Sequence, residues 1–170
     1  MVRHIPNRIH IIGSVGSGKT TLARSLEKKY NTKHYELDNV VWERHKCGDR
    51  KRSYPHRDRC LEEIIATESW IIEGAHSNSW VNRSFEAADL IIFLDTPYTI
   101  RQVRILKRFV RQVLRLETAN YTPSFNMLID MFKWNRIFER DSKPKILKAF
   151  QQEKCNFIHV TDRVKADDIF

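Results

Sequence analysis

Near its N-terminus the chain reads Gly13-Ser14-Val15-Gly16-Ser17-Gly18-Lys19-Thr20, which fits the phosphate-loop pattern G-x-x-x-x-G-K-[ST] at every position. The pattern requires a strand before it and a helix after it. Residues 8–12 form an apolar run that predicts the strand, and residues 20–30 have apolar side chains at helical spacing. The stretch therefore predicts a site for a nucleoside triphosphate, with a glycine-rich turn that binds nothing as the alternative.

The chemistry of this loop follows from its residue types. Glycines let the backbone curl so that its N–H groups point at phosphate oxygens where a helix begins. We expect Lys19 to reach the β- and γ-phosphates as a catalytic residue, and Thr20 to offer its hydroxyl to Mg²⁺. ATP and Mg²⁺ are thus the predicted cofactors. The predicted nucleotide-binding residues of this region are Gly13, Ser14, Val15, Gly16, Ser17, Gly18, Lys19, Thr20 and Thr21.

Length and composition favour one globular domain over residues 1–170. The chain is 41% hydrophobic and 30% charged, and its formal net charge is +9. Such a charge predicts affinity for anions, whether nucleotides, phosphorylated substrates or nucleic acid. No apolar run approaches the roughly 20 residues that a membrane helix needs, and the N-terminus lacks the apolar core of a secretory signal. We therefore expect a cytoplasmic protein without a membrane partner.

The cysteines predict free thiols. Cys47, Cys60 and Cys155 are three in number and widely spaced, which is not typical of a disulfide framework. Together with His45 and His56, the first two place four possible metal ligands within sixteen positions. Their spacing matches no common zinc module, so metal binding by this group stays open.

Five predicted strands alternate with helices along the chain. The strands are residues 8–12, 33–37, 70–72, 89–95 and 157–160, and the helices are residues 20–30, 56–68, 96–117, 123–139 and 142–152. This alternation predicts a parallel sheet that is covered on both faces through right-handed crossovers. The predicted fold class is α/β, a three-layer P-loop NTPase fold with a five-stranded parallel sheet of nucleotide-kinase type.

Local signals add detail to the two longer predicted helices. Thr96 is expected to cap the first of them, with Pro97 as its first residue. The core candidates of the second are Phe125, Leu128, Ile129, Phe132 and Phe138.

Acidic residues follow two of the predicted strands. Asp38 lies where open parallel sheets bind ligands, so it is a candidate for orienting or deprotonating an acceptor hydroxyl, and capping of the next helix is the alternative. Glu73 is the predicted partner of Thr20 in holding Mg²⁺, and Gly74 would let a substrate come close. A basic flap within residues 39–69 is the predicted acceptor-binding region. The predicted substrate-binding residues are Asp38, Trp42, Arg57, Gly74 and Arg83.

Arginines form a stripe on the helix predicted for residues 96–117. The stripe consists of Arg101, Arg104, Arg108, Arg111 and Arg115, one residue after an apolar stripe of Ile100, Val103, Val110 and Leu114. Within this predicted helix no acid precedes Glu117, so the arginines would repel one another unless an anion lay among them. Guanidinium groups suit phosphate oxygens, and nucleotide phosphates are the predicted anion. A solvated face and a nucleic-acid contact are the alternatives. After the last strand, Thr161 and Asp162 lie where an adenine could rest.

Taken together, these motifs resemble the adenylate-kinase-related P-loop proteins, and among them the DNA topology modulation proteins of the FlaR type. The similarity extends from Arg8 to the last strand. It rests on GSVGSGKTTLA, YELDNVVW, WIIEG, EAADLIIFLD and KPKIL in this order. The phosphate loop is common to many families, whereas the order of the other four motifs is more specific.

The resemblance implies roles for individual residues. Gly13 to Thr20 would bind ATP, and Arg104-Ile105-Leu106-Lys107-Arg108 matches an R-I-x-x-R motif whose arginines pack on adenine and hold phosphates. Arg83 falls where the family has an arginine, and Arg136 or Arg140 corresponds to the arginine beyond the lid. Glu73 stands where the family usually has aspartate. The lid, residues 116–122, is short and has no metal-binding cysteines.

Two functions follow as hypotheses. The first is an ATP-dependent kinase that transfers the γ-phosphoryl group to a small acceptor, with Lys19, Asp38, Arg104, Arg108, Arg136 and Arg140 as the catalytic candidates. The second is a nucleic-acid-binding ATPase linked to DNA topology modulation. The sequence does not disclose the acceptor or whether the protein is a monomer or a dimer.

Overall fold

The computed structural model describes residues 6–45, 48–117, 123–152 and 156–161, which form a central sheet flanked by helices. In chain order the elements are β1 (Arg8–Gly13), α1 (Lys19–Tyr30), β2 (His34–Glu36), α2 (Leu37–Val41), β3 (Trp42–Glu43), β4 (Arg50–Lys51), α3 (Tyr54–Ile65), β5 (Trp70–Gly74), a 3₁₀ turn (Ser79–Val81), α4 (Asn82–Glu86), β6 (Leu90–Leu94), α5 (Tyr98–Val113), α6 (Phe125–Ile137), a π turn (Phe138–Ser142), α7 (Lys143–Gln152) and β7 (Phe157–Val160).

Five parallel strands make up the sheet, in the order β2-β5-β1-β6-β7. The middle strand β1 pairs Arg8 with Trp70 of β5 and Ile9 with Leu90 of β6. The predicted α/β fold with a five-stranded parallel sheet is confirmed. Because parallel strands share one direction, the loops after β1, β2 and β5 all emerge at the same edge of the sheet.

Successive residues of β1 face opposite sides of the sheet, and apolar side chains cover both sides. On one side, Ile9 and Ile11 pack with Leu22 and Leu26 of α1. On the other side, Ile12 packs with Phe93 of β6 and with the π turn and α7. Continuous apolar strands such as β5 and β6 are buried along their whole length, as expected for a sheet between two helical layers.

The segment after β2 differs from the prediction. The predicted strand 33–37 is shorter, and residues Leu37–Val41 form the short helix α2. Within the basic flap, β3 and β4 form an antiparallel hairpin that pairs Trp42 with Lys51 and Glu43 with Arg50. The sequence did not predict this hairpin because its strands are only two residues long and contain no alternation of apolar residues.

The N-terminus of α5 also differs from the prediction. Pro97 occupies the cap position and the helix begins at Tyr98. Thr96 does not cap the helix; its hydroxyl donates to the backbone oxygen of Ser17 at 2.9 Å. A contact between residues so far apart in sequence overrides the local capping preference of threonine.

The two longest helices bury faces that the sequence did not predict. α5 buries Arg101, Ile105 and Gln112, while all four residues of its predicted apolar stripe are exposed. Among the core candidates near α6, Phe138 is buried, Leu128 and Phe132 are half-buried, and the prediction is wrong for Phe125 and Ile129, which are exposed. Hydrophobic periodicity predicts that a segment is helical, but it does not predict which side of the helix packs against other elements.

Candidate active site

The phosphate loop lies between β1 and α1 at the edge of the sheet described above, as the motif predicts. Gly18 is the cap of α1, and Gly16 has a φ of 77° in the left-handed region. A Cβ atom at Gly16 would lie 3.0 Å from the backbone oxygen of Arg101 and 3.3 Å from Cγ1 of Ile105. Glycine at this position therefore serves both the turn and the close approach of α5.

Side chains from three segments hold the loop from outside. The Nη1 atom of Arg104 donates to the backbone oxygens of Gly16 at 3.2 Å and Ser17 at 3.0 Å, and Thr96 donates to the same Ser17 oxygen. The Ser14 hydroxyl donates to Oδ1 of Asn135 at 3.0 Å, and both residues are buried. The loop's curvature is thus fixed by α5, α6 and the turn before α5.

Sequence reasoning missed Asn135. Its position on α6 is predicted as part of a helix, but an asparagine inside a helix gives no local signal for a contact made 121 residues earlier in the chain. The one hint is that a polar side chain occurs on the otherwise apolar face that contains Met131 and Phe138.

Thr20 and Glu73 form a hydrogen bond at the front of the loop. The Thr20 hydroxyl donates to Oε1 of Glu73 at 2.5 Å, and Glu73 is buried on β5, beside β1. Burial raises the pKa of Glu73, while the positive charge of Lys19 and the hydrogen bond from Thr20 act in the opposite direction. A hydroxyl and a carboxylate are hard oxygen ligands, so this pair fits Mg²⁺ in its chemistry.

Lys19 and Asp38 lie near the same carboxylate. The Lys19 ammonium donates to the backbone oxygen of Ser14 at 3.0 Å, inside the loop itself. Asp38, in the first turn of α2, has Oδ1 3.4 Å from Nε2 of His76. The hydrogen bond from His76 lowers the pKa of Asp38, and the charges of His76, Lys19 and Arg44 contribute in the same direction against the opposing effect of burial.

Asp38 therefore has an environment that keeps it ionised at neutral pH. Its side chain is 72% exposed, so water weakens these electrostatic effects, but it also leaves the carboxylate open to a ligand. The capping alternative is not what the structure shows, because Glu36 occupies the cap position of α2 and makes no side-chain capping bond. No local pattern indicated a role for His76, which lies on the loop after β5.

The other predicted acceptor residues have partners within the protein. Arg57 pairs with Asp58, and its guanidinium lies 4.4 Å from the ring centre of Trp80. Arg83 pairs with Glu62 at 2.5 Å, and Trp42 is exposed on the hairpin. Their binding of an acceptor stays a prediction.

Gly74 is buried at the end of β5, where it packs against Leu37 of α2. A Cβ atom at this position would lie 2.7 Å from Cδ1 and 2.8 Å from Cβ of Leu37. The glycine therefore lets α2 pack against β5, and a direct contact of Gly74 with substrate stays a prediction.

The arginine stripe is divided in the structure. Arg101 is fully buried, pairs with Glu139 and lies 5.7 Å from the ring centres of Tyr98 and Phe138. Glu117 lies 3.5 Å from Arg108 and 3.6 Å from Arg111. The expectation that the arginines lack acidic partners is therefore wrong. Glu117 pairs with two of them, and Glu139, from a segment distant in sequence, pairs with Arg101.

The remaining predicted site residues are placed as follows. Arg104 contacts the phosphate loop, whereas Arg108 and Arg136 are exposed. Arg140 is exposed and donates two hydrogen bonds of 2.8 Å to Asp141, and Thr161 is exposed after β7. Asp162, most of the predicted lid and Cys47 lie outside the described residues. Within the described ranges, no cluster of three or more His, Cys, Asp or Glu side chains could hold a metal ion, and Cys60 is a free thiol.

A partly buried ionic network connects α5 to β7 behind the loop. Asp95 lies 2.9 Å from Nζ of Lys143 and 3.0 Å from Nε2 of His159, and Lys143 also lies 3.1 Å from Glu139, the partner of Arg101. No local sequence pattern predicts this network. Its members come from four separate segments, and only the fold brings them together.

Comparison with known proteins agrees with this fold. The sequence profile of the AAA domain family matches residues 9–117, which is more than half of the chain, so the chain belongs to this family. A protein of Bacillus subtilis (strain 168), named Uncharacterized protein YqaC, is 35% identical over 101 residues, or 59% of this chain and 55% of that protein. The adenylate kinase of Wigglesworthia glossinidia brevipalpis is 45% identical over 42 residues, or 25% of this chain and 20% of that enzyme.

A solved structure supports the same fold. Shikimate kinase from Acinetobacter baumannii, in complex with shikimate, has a TM-score of 0.60 at 15% identity and covers 95% of this chain and 87% of that chain. The structure thus has the fold of the P-loop NTPases. The chain matches about half the length of the first curated relative and a fifth of the second.

Proposed function

We propose that the protein is a kinase that transfers the γ-phosphoryl group of ATP to a hydroxyl group of a small acceptor. The observation that supports this most directly is the arrangement at one edge of the sheet. There the phosphate loop with Lys19 and Thr20 lies beside the buried carboxyl group of Glu73. The ionised Asp38 is close enough to interact electrostatically with Lys19 and with Glu73. Such a set combines phosphate binding with a carboxylate for the acceptor.

Each residue would contribute a separate part of the reaction. The backbone amides of the loop would hold the phosphate oxygens, and Lys19 would turn from Ser14 towards the β- and γ-phosphates. Asp38 would accept the proton of the acceptor hydroxyl or orient it for in-line attack. Arg104 would keep the loop in shape from behind, as its two hydrogen bonds indicate.

Thr20 and Glu73 would hold Mg²⁺ when the nucleotide is bound, Glu73 through the metal's water shell. The ion would neutralise phosphate charge. The roles of Arg108, Arg136 and Arg140, the adenine position at Thr161 and Asp162, and a cytoplasmic location stay predictions from sequence. The same holds for membership of the FlaR-type family and for a nucleic-acid-binding ATPase. Three arginines of the stripe pair with glutamates, which argues against a phosphate-binding surface along the whole of α5.

The experiment is a phosphoryl-transfer screen of the full chain with ATP and Mg²⁺ over nucleoside monophosphates, small alcohols and sugar acids. Lys19→Ala should abolish transfer while the circular dichroism spectrum and unfolding midpoint stay unchanged. Lys28→Ala is the matched control, since Lys28 is an exposed lysine on the same helix. ATP turnover by Lys19→Ala equal to that of the unmodified protein would contradict the proposal.

A further inference from the structure

The outward side of α5 is an apolar surface that the proposed kinase activity does not use. We call it the α5 outer face. Its members are Ile100, Val103, Leu106, Val110, Val113 and Leu114, which are between 43% and 61% exposed. The opposite side of the helix packs on the phosphate loop through Arg101 and Ile105.

The spacing of these residues makes the surface continuous. Intervals of three or four residues place Ile100 to Val113 on one side of the helix, and Leu114, its cap residue, follows Val110 by four. The face from Ile100 to Val113 is roughly 20 Å long at 1.5 Å per residue. Phe125 of α6 extends it, because this exposed ring lies 5.4 Å from that of Phe109 on α5. A contiguous exposed apolar surface of this kind is typical of an interaction site.

Basic residues border the same surface. Lys107, Arg108, Arg111 and Arg115 are exposed, and α5 from Tyr98 to Val113 contains no aspartate or glutamate. The acid near these arginines is Glu117, at 3.5 and 3.6 Å, and ion pairs at such exposed positions contribute little. The surface thus combines aliphatic side chains with positive charge, on a chain whose net charge is +9.

We propose that the α5 outer face docks on the surface of an anionic lipid bilayer, with the helix axis parallel to the membrane plane. The aliphatic side chains would enter the boundary between headgroups and acyl chains, while the lysine and arginines would meet anionic headgroups. This differs from the expectation of no membrane partner, which rested on the lack of a spanning segment. Of the helices in the described part of the chain, none has both the length and the apolar character to cross a bilayer, and docking needs neither.

Charge selects the bilayer among the possible occupants. A second copy bound through the same face would bring two rows of lysine and arginine together, which costs free energy. A nucleic acid would match the charge, but its phosphates would leave the aliphatic side chains uncovered. An anionic bilayer satisfies both the apolar and the charged parts of the surface.

The experiment is co-sedimentation of the full chain with vesicles of phosphatidylcholine alone or with about a third phosphatidylserine, at about 0.15 M salt. The unmodified protein should bind only the anionic vesicles. The double variant Val103→Glu/Val110→Glu and the double variant Lys107→Glu/Arg111→Glu should each lower the bound fraction by at least about fivefold. Tyr54→Glu, an exposed aromatic residue on α3, is the control and should bind as the unmodified protein does.

Each variant should retain its unfolding midpoint, since all the changed side chains are exposed. No sedimentation with anionic vesicles would overturn the proposal, as would equal loss of binding in Tyr54→Glu. Light scattering serves as a second measurement: an oligomer that Val103→Glu/Val110→Glu disrupts, without any vesicle binding, would assign the face to a second copy instead. None of these results depends on whether the protein transfers phosphate.

Discussion

At the scale of single residues, Glu73 shows how a carboxyl group of the candidate site can be unfavourable for the fold. Its charge is buried next to the phosphate loop, and burial raises its pKa despite the nearby Thr20 hydroxyl and Lys19 ammonium. The folded protein thus holds the proton of Glu73 at higher pH than the unfolded chain does. Ionisation of this group consequently lowers the free energy of unfolding as pH rises through the folded pKa.

We expect Glu73→Gln to stabilise the free protein at neutral pH and to weaken its binding of nucleotide with Mg²⁺. The amide keeps an oxygen that can accept the Thr20 hydrogen bond but has no charge to bury. The gain should shrink as pH falls below the folded pKa, because the wild-type carboxyl group is then neutral as well. Urea denaturation at several pH values, together with calorimetric nucleotide titration, measures both effects. Lower stability of Glu73→Gln at neutral pH would contradict this account.

At the scale of elements, α5 carries two kinds of ion-paired arginine. Arg101 is buried and pairs with Glu139, whereas Arg108 and Arg111 share Glu117 near the surface. Removing one partner of a buried pair leaves an uncompensated charge, while an exposed pair contributes little. The two glutamates therefore allow a buried and an exposed ion pair of the same helix to be compared.

Glu139→Ala should lower the free energy of unfolding by about 2 kcal/mol, less than for a fully buried pair because Glu139 is partly exposed. Glu117→Ala should change it by less than about 0.5 kcal/mol. Urea denaturation of both variants at equal ionic strength gives the two values. Equal losses in the two variants would mean that burial of Arg101 does not set the energetics of α5.

The same helix shows what sequence can predict here. The phosphate loop, the five strands and α5 depend on local pattern, and the structure has them close to the predicted positions, although β2 is shorter and α5 begins later than predicted. The buried side of α5 depends on Glu139, Gly16 and Ser17, which are far away in the chain. Asn135, His76 and the Asp95 network were missed for the same reason. A helix pattern records which residues share a face, whereas their partners are determined by the fold.

At the scale of the whole molecule, His10 links the stability of the sheet to pH. Its ring is fully buried on β1, stacks on Phe85 at 4.1 Å and lies with Nδ1 3.1 Å from the Ser84 hydroxyl. That hydroxyl donates to the backbone oxygen of Val81 at 2.7 Å, so His10 Nδ1 is the donor to Ser84. Burial lowers the pKa of His10 from 6.5 to about 3.

Below pH 6.5 the unfolded chain is protonated at His10, whereas the folded protein is protonated there only below about pH 3. The free energy of unfolding therefore falls as the pH decreases through this window. Between about pH 7.5 and about pH 5 this group should cost about 2 kcal/mol of unfolding free energy. His10→Asn keeps a donor for Ser84 and should flatten the slope, even if it lowers stability through lost packing on Phe85. His56→Asn, at an exposed histidine of α3, should leave the slope unchanged. An unaltered slope in His10→Asn would contradict the prediction.

The middle place of β1 in the sheet also has a consequence for how the protein is made. Its two neighbours, β5 and β6, end at Gly74 and Leu94, so a ribosome must translate the whole stretch from β1 to Leu94 before the strand can be paired on both sides. During that interval the apolar side chains of the first strand are available to chaperones and to other nascent chains. The phosphate loop follows β1 directly in the chain, but it can take its final shape only after β5 and β6 have also emerged.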